Sequence, residues 1–136
     1  MKRIIAILSL LLICVPFLAA CGNTMTAEQK TACREAAALV ETETDDMDAF
    51  FDFSTETQVI DGAVVFVIHV KAKGFDFDSE MASLVNPLCK KVQNILLDEH
   101  VYTMLLCYDD DGTCNYSLKD NYLTKDIANK VKEKQY

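Results

Sequence analysis

Residues 58–66 have the sequence QVIDGAVVF, and this stretch decides the fold. Two apolar runs meet at Asp61-Gly62, which is the strongest short-range signal for a β-hairpin, because both central residues of a type I′ turn need a positive φ angle. If these two residues form the loop, Ile60 pairs with Ala63. The sequence therefore predicts a β-hairpin over residues 51–73.

The second strand of this hairpin, from Ala63 to Val70, carries a candidate binding surface. It is apolar on both faces except at His69, so we expect a central strand with at least one face well covered. Side chains alternate between the two faces of a strand, which places Val65, Val67 and His69 together. We predict that these three residues form a binding face on the side of the sheet opposite the helices. Among β-branched neighbours, His69 itself is interpreted as a packed structural histidine rather than a ligand.

Helical patterns lie on both sides of this hairpin. Thr26 and Gln29 have the spacing of a capping box, and they predict a helix from there to about Glu43. Residues 78–99 carry the strongest amphipathic pattern in the chain. Pro87 interrupts this pattern, because proline lacks the backbone N–H that an interior helical position needs. We expect either a kink or two abutting helices there.

Residues 101–120 predict a second hairpin around the turn Asp109-Asp110-Asp111-Gly112. A three-residue loop pairs Tyr108 with Cys114 and puts Cys107 on the opposite face, where the two cysteines could not bond. A four-residue loop sets Cys107 directly opposite Cys114. The four-residue loop is favoured, because two cysteines in mirrored positions would otherwise be a coincidence.

The order of these elements is helix, hairpin, helix, hairpin, and residues 123–134 add a short C-terminal helix by the spacing of their apolar residues. Two hairpins with one apolar face each favour a shared sheet, and the two longer helices favour packing against it. The sequence therefore predicts an α+β domain of the form α-ββ-α-ββ-(α). We expect a four-stranded antiparallel sheet with helices packed on one face.

The first 20 residues have the pattern of an export signal. Lys2 and Arg3 precede an apolar run that extends from Ile4 to Ala20, and this order of charged and apolar regions is typical of a secretory signal. An ordinary signal peptide followed by a chance cysteine, or a retained membrane helix, is the alternative interpretation.

The end of this run is Leu18-Ala19-Ala20-Cys21, which resembles the lipobox of bacterial lipoproteins at all four positions. The resemblance implies transfer of a diacylglyceryl group to the Cys21 thiol and cleavage between Ala20 and Cys21. Two acyl chains on one residue give stable anchoring, which a single chain does not. We therefore expect a signal peptide at residues 1–20, a short lipid tether at 21–25 and one α+β domain at 26–136. The mature protein is expected on the extracytoplasmic side of the cell membrane.

Charge restricts the partners of the mature chain. Removal of Lys2 and Arg3 with the signal leaves 11 of the 13 basic residues against 21 acidic residues, a net charge of −10. Phosphates repel so acidic a domain, and we expect no nucleic-acid partner. The same repulsion should hold the body off an anionic membrane, with Cys21 as its only attachment.

Four cysteines remain once Cys14 is removed with the signal and Cys21 is acylated. An even number of cysteines in an exported chain is typical of disulfides, and we predict two. The candidate pairs are Cys107 with Cys114 and Cys33 with Cys89. A zinc site is the alternative, but the chain has no C-x2-C pair to supply close ligands, and we expect no metal.

Four features of the second half carry a family resemblance: an apolar strand from Val101, then Tyr108, the turn Asp111-Gly112-Thr113, and Tyr116-Ser117. With the amphipathic helix and apolar strand before them, they resemble a domain of unknown function common in surface lipoproteins of Gram-positive bacteria. The resemblance covers roughly residues 58–118, and the four mature cysteines are not part of its pattern. That family has no established activity, so the resemblance implies no catalytic residues. More loosely, the two helix-plus-hairpin units resemble PepSY domains and β-lactamase-inhibitor-like domains, although fold analogy alone does not transfer function.

The sequence contains no recognisable catalytic motif. His69 and His100 lie outside any such pattern, and there is no G-x-S-x-G, H-E-x-x-H or C-x-x-C. We therefore predict a non-catalytic, membrane-anchored binding module for a protein or other envelope partner, without a cofactor. The alternatives are an extracytoplasmic thiol or metal protein that uses the four mature cysteines, and a PepSY-like or inhibitor-like domain that acts on a secreted enzyme.

Overall fold

The computed structural model describes residues 24–134. The predicted signal peptide, Cys21 and most of the predicted tether lie outside this range. Within it, no helix is long and apolar enough to cross a membrane. The helices are α1 (Ala27–Glu43), α2 (Ser79–Leu96) and α3 (Lys125–Glu133), and the strands are β1 (Phe51–Ile60), β2 (Ala63–Ala72), β3 (Val101–Tyr108) and β4 (Cys114–Lys119). Single 3-10 turns follow α1 at Asp45–Met47 and α2 at Leu97–Glu99.

The predicted capping box begins α1. The Thr26 hydroxyl accepts a hydrogen bond from the Gln29 backbone N–H at 3.0 Å, and the Gln29 side chain accepts one from the Thr26 N–H at the same distance. Both N–H groups would otherwise lack a partner at the helix terminus. The buried face of α1 consists mainly of small side chains, such as Ala32, Cys33 and Ala36. It can therefore approach its neighbours closely.

The first hairpin has the predicted turn. Asp61 and Gly62 have φ angles of 52° and 82°, as a type I′ turn requires. Ile60 pairs with Ala63, so the predicted register is confirmed.

The sheet has the strand order β1-β2-β3-β4, and it is mixed. β1 pairs with β2, and β3 with β4, in antiparallel fashion, but β2 and β3 run parallel. The prediction of a purely antiparallel sheet is therefore wrong. The cause is α2, which carries the chain back to the end of the sheet where β2 begins. β3 thus starts with Val101 beside Val64, and a helical crossover of this kind is what parallel pairing requires.

Pro87 lies inside α2, which continues through it as one helix of 18 residues. The predicted alternative of two abutting helices is therefore wrong. Val85, Leu88 and Val92 are buried before and after the proline. We attribute the continuity to this packing, which offsets the loss of one backbone hydrogen bond.

Two hydrophobic clusters lie on the two faces of the sheet. The first cluster contains buried residues of α1 and α2 and the face of β2 that carries Phe66 and Ile68. The second cluster contains buried residues of α3 and the face of β2 that carries Val65 and Val67. Both faces of β2 are therefore covered along most of the strand.

Candidate functional site

The predicted binding face is only partly open. Val65 and Val67 are completely buried in the second cluster, together with Ala128 and Val131 of α3. These two valines cannot form a binding surface, so this part of the prediction is wrong. The sequence predicts the C-terminal helix but not its position. The apolar face of that helix needs an apolar partner, and this half of the sheet face provides one.

His69 lies on the same face of β2, two residues beyond Val67, where its side chain is 14% exposed. Its Nδ1 atom is 2.7 Å from the hydroxyl oxygen of Tyr108, and its Nε2 atom is 3.5 Å from Oε1 of Glu56. The imidazole and phenol rings are stacked, with their centroids 5.7 Å apart. His69 therefore connects a carboxylate on one side to a phenol on the other.

Strand register brings these three side chains together. Glu56 on β1 is opposite Val67, and Tyr108 on β3 is opposite Lys71. Each is thus a diagonal neighbour of His69, and diagonal neighbours on one face are within reach of long or aromatic side chains. Because β1, β2 and β3 contribute one residue each, the group depends on the strand order of the sheet.

The three side chains line an open cavity of about 440 Å³. Its walls carry carboxylates, hydroxyls, an imidazole and an ammonium group, so it offers both donors and acceptors to a polar ligand. The residues that line it are Asp52, Phe53, Ser54, Glu56, His69, Lys71 and Tyr108.

The partners of His69 favour one tautomer. The Glu56 carboxylate, which also accepts a hydrogen bond from the side-chain amide of Gln58, is an acceptor when ionised. A neutral imidazole with its proton on Nε2 donates toward that carboxylate, and its Nδ1 then accepts from the Tyr108 hydroxyl. The arrangement therefore orients the imidazole and the phenol before any ligand arrives.

The second hairpin has the three-residue loop rather than the favoured four-residue loop. Tyr108 pairs with Cys114, and Cys107 pairs with Tyr116 across an irregularity in the register. Cys107 is buried in the first cluster, whereas Cys114 packs against the second. The two cysteines lie on opposite faces of the sheet, so the prediction of a disulfide between them is wrong.

Asp109 accounts for this register. Its backbone N–H donates to the Thr113 carbonyl at 2.9 Å, so it continues the pairing instead of beginning the loop. Its carboxylate accepts from the Phe77 backbone N–H at 2.6 Å and from the Asn115 side chain at 3.2 Å. Asp110 accepts a hydrogen bond from the same segment between β2 and α2. The acidic turn therefore attaches the hairpin to that segment.

The other predicted pair, Cys33 and Cys89, is not bonded either, because all four cysteines of the described chain are free thiols. Burial raises the pKa of each of them. For Cys89, burial and then the negative charge of Asp120 raise the pKa to about 11. Thiols held in the protonated form are poor nucleophiles and poor metal ligands. Within residues 24–134, no group of three or more His, Cys, Asp and Glu side chains could hold a metal ion.

Glu56 and Tyr108 are site residues that the sequence prediction missed. The signal for Glu56 was present, because the register set by Asp61-Gly62 already places it diagonal to His69. Tyr108 had no such signal, since its place depends on how β3 pairs with β2.

Comparisons with protein-family models, with curated proteins and with solved structures found no match to this chain. The resemblance of residues 58–118 to a domain of unknown function stays a prediction. A functional conclusion therefore rests on the cavity around His69 and on the sequence at Leu18-Ala19-Ala20-Cys21.

Proposed function

We propose that the protein is a lipid-anchored, extracytoplasmic binding module whose ligand surface is the cavity around His69. The match of Leu18-Ala19-Ala20-Cys21 to the lipobox supports the anchor, since two acyl chains on Cys21 would hold the chain stably at the membrane. The partner is a protein or another component of the cell envelope that presents polar groups to the cavity.

One observation carries this proposal: inside an otherwise open cavity, Nδ1 of His69 is 2.7 Å from the Tyr108 hydroxyl and Nε2 is 3.5 Å from the Glu56 carboxylate. A side chain that is fixed before binding loses little conformational freedom when a ligand arrives, which favours affinity. Asp52 and Glu56 supply carboxylate acceptors, and Lys71 supplies a donor. A ligand with hydroxyl or amine groups beside a carbonyl or carboxylate group would satisfy both the carboxylate acceptors and the Lys71 donor.

The same geometry supports binding better than catalysis. A general base needs a ring nitrogen within hydrogen-bond reach of the group that it deprotonates. The two nitrogens of His69 face Tyr108 and Glu56 of the chain itself, so neither is directed at a ligand in the cavity. The proposed module is therefore non-catalytic.

The alternative functions have less support. A thiol or metal protein needs accessible thiolates, whereas burial raises the pKa of Cys33, Cys89, Cys107 and Cys114. A PepSY-like or inhibitor-like role is supported only by the order of helices and hairpins, which is fold analogy.

The proposal predicts that Tyr108→Phe weakens partner binding. The substitution removes only the hydroxyl that holds Nδ1 of His69, so the imidazole loses one of its two partners. We expect about tenfold weaker binding, as the loss of one hydrogen bond predicts. The measurement is cross-linking of the lipidated protein in intact cells, recovery of the cross-linked envelope component, and titration of that component against each variant.

Tyr102→Phe is the matched control for this experiment. Tyr102 lies on the same face of β3, at the other end of the strand, and packs against the second cluster. Its hydroxyl is remote from His69, so this variant should bind like the wild type. Equal binding by Tyr108→Phe and Tyr102→Phe would contradict the assignment of the cavity.

A further inference from the structure

Leu97 and Tyr122 form an exposed apolar surface at one end of the domain. The two residues are 54% and 76% exposed, and among the described residues no large apolar residue is more exposed than Tyr122. Both residues line the same two cavities, of about 310 and 370 Å³. The two side chains are therefore neighbours, although they are distant in sequence.

The chain enters the domain at this same end. Gln29, in the first turn of α1, donates a hydrogen bond from its side-chain amide to the Glu99 carbonyl at 3.1 Å. Glu99 belongs to the 3-10 turn that begins with Leu97. Three peptide units join Cys21 to Thr24, and they span at most about 11 Å. Lipids on Cys21 would thus keep this end of the domain next to the bilayer.

We propose that the surface formed by Leu97 and Tyr122 lies against the lipid bilayer beside the acyl chains of Cys21. This inference rests on the proposed function, because only a lipidated Cys21 would hold this end at a membrane. The chemistry of the two side chains fits the partner. Leucine can enter the boundary of the acyl region, and tyrosine is enriched at the level of the lipid headgroups.

The charges around this surface indicate an apolar contact rather than an electrostatic one. Asp98 and Glu99 are in the same 3-10 turn as Leu97, and they would be repelled by anionic headgroups. Two cations, Lys90 and Lys119, line the cavity of about 310 Å³. The amine of Lys119 already donates to the Leu123 carbonyl at 2.9 Å. A zwitterionic lipid therefore suits the surface formed by Leu97 and Tyr122. This surface is small, but the tether raises the effective concentration of the surface at the bilayer and so compensates for its size.

Contact of Leu97 and Tyr122 with the bilayer would also set the direction in which the cavity around His69 faces. β2 and β3 both begin at the end that carries Leu97, where Val64 pairs with Val101. His69 lies five residues further along β2, and at about 3.3 Å per residue this is a distance of about 17 Å. The cavity around His69 would therefore lie away from the bilayer, toward the partner.

Fluorescence of introduced tryptophans tests the orientation, because the natural chain contains no tryptophan. Tyr122→Trp places the probe in the proposed surface. Phe50→Trp is the matched control, since Phe50 is also an exposed aromatic residue, at 61%, but precedes β1 at the opposite end of the sheet. Each full-length lipidated variant is reconstituted into vesicles of phosphatidylcholine with and without bromine in the upper acyl chain. We expect quenching and a shift to shorter wavelength for Tyr122→Trp and neither for Phe50→Trp.

The intact mass of the same samples separates the two proposals. If Cys21 carries the diacylglyceryl group and Tyr122→Trp is not quenched, the bilayer contact is overturned while the proposed anchor stands. If Phe50→Trp is quenched instead, the orientation is reversed and the inference is again overturned. If Cys21 carries no lipid, the proposed anchor fails, and the bilayer contact fails with it.

Discussion

Asp109 makes the acidic turn a structural feature rather than a binding site. It is only 9% exposed, and its carboxylate satisfies the backbone N–H of Phe77, a residue in the first cluster. Asp109→Ala would leave that buried N–H without a partner, which costs about 1–3 kcal/mol. We expect a loss of this size in the free energy of unfolding, measured by urea denaturation.

Two variants of the same turn serve as controls for Asp109→Ala. Asp109→Asn keeps an acceptor oxygen for the Phe77 N–H, so it should lose less stability. Asp110→Ala removes a hydrogen bond that is exposed to solvent, so its effect should also be smaller. Equal losses in all three variants would contradict the role given to the Asp109 carboxylate.

The buried thiols predict a pH dependence of stability in the reduced protein. Burial, with a smaller contribution from Asp120, raises the pKa of Cys89 from an ordinary value of 9.0 to about 11. Below pH 9 the thiol is protonated in both the folded and the unfolded chain, and its contribution to stability is fully present. Between these two values only the unfolded chain ionises, so stability is lost as the pH rises, by at most about 1.4 kcal/mol per pH unit.

Cys89→Ala isolates this contribution from the other groups that titrate in alkaline solution. The urea midpoints of wild type and Cys89→Ala, measured at pH 8 and again near pH 10.5, should show a smaller loss in the variant. Cys107, whose pKa is raised in the same direction, would account for part of the remaining loss. Identical pH dependence in both proteins would rule out a raised pKa at Cys89.

At the scale of elements, local sequence signals predicted the first turn and the start of α1 correctly. They did not predict how distant strands pair. The turn at Asp61-Gly62 could be predicted because the need for positive φ angles is a property of those two residues alone. The same is true of the capping box at Thr26 and Gln29. The direction of β3 relative to β2 depends instead on the path of α2, which no short stretch of sequence specifies.

The candidate site shows the same division between local and long-range information. The sequence identifies His69 as the polar residue of an apolar strand, and the first hairpin alone places Glu56 beside it. Tyr108 joins the site only through the parallel register of β3 on β2. The burial of Val65 and Val67 depends on where α3 packs, at a sequence distance of about 60 residues. The apolar pattern of the sequence therefore predicts strand β2, but it does not predict which part of the strand's face stays open.

The whole described domain has two different ends joined by β2. One end receives the chain from Cys21 and carries Leu97 and Tyr122, and the other end carries the cavity around His69. Between the two ends, alternate residues of β2 belong to the two hydrophobic clusters. Because one strand is shared by both clusters, loss of packing on either face should lower the stability of the entire domain.

Val131→Ala tests this coupling between the two faces. Val131 is fully buried in the second cluster, and removal of two methyl groups there should cost about 2 kcal/mol. If the domain unfolds as one unit, backbone amides of β2 and α2 should both lose about thirtyfold in protection from hydrogen exchange. Val40→Ala, at a buried valine of the first cluster, should give the same pattern. Loss of protection confined to α3 in Val131→Ala would show that this helix opens separately and that Val65 and Val67 are only intermittently covered.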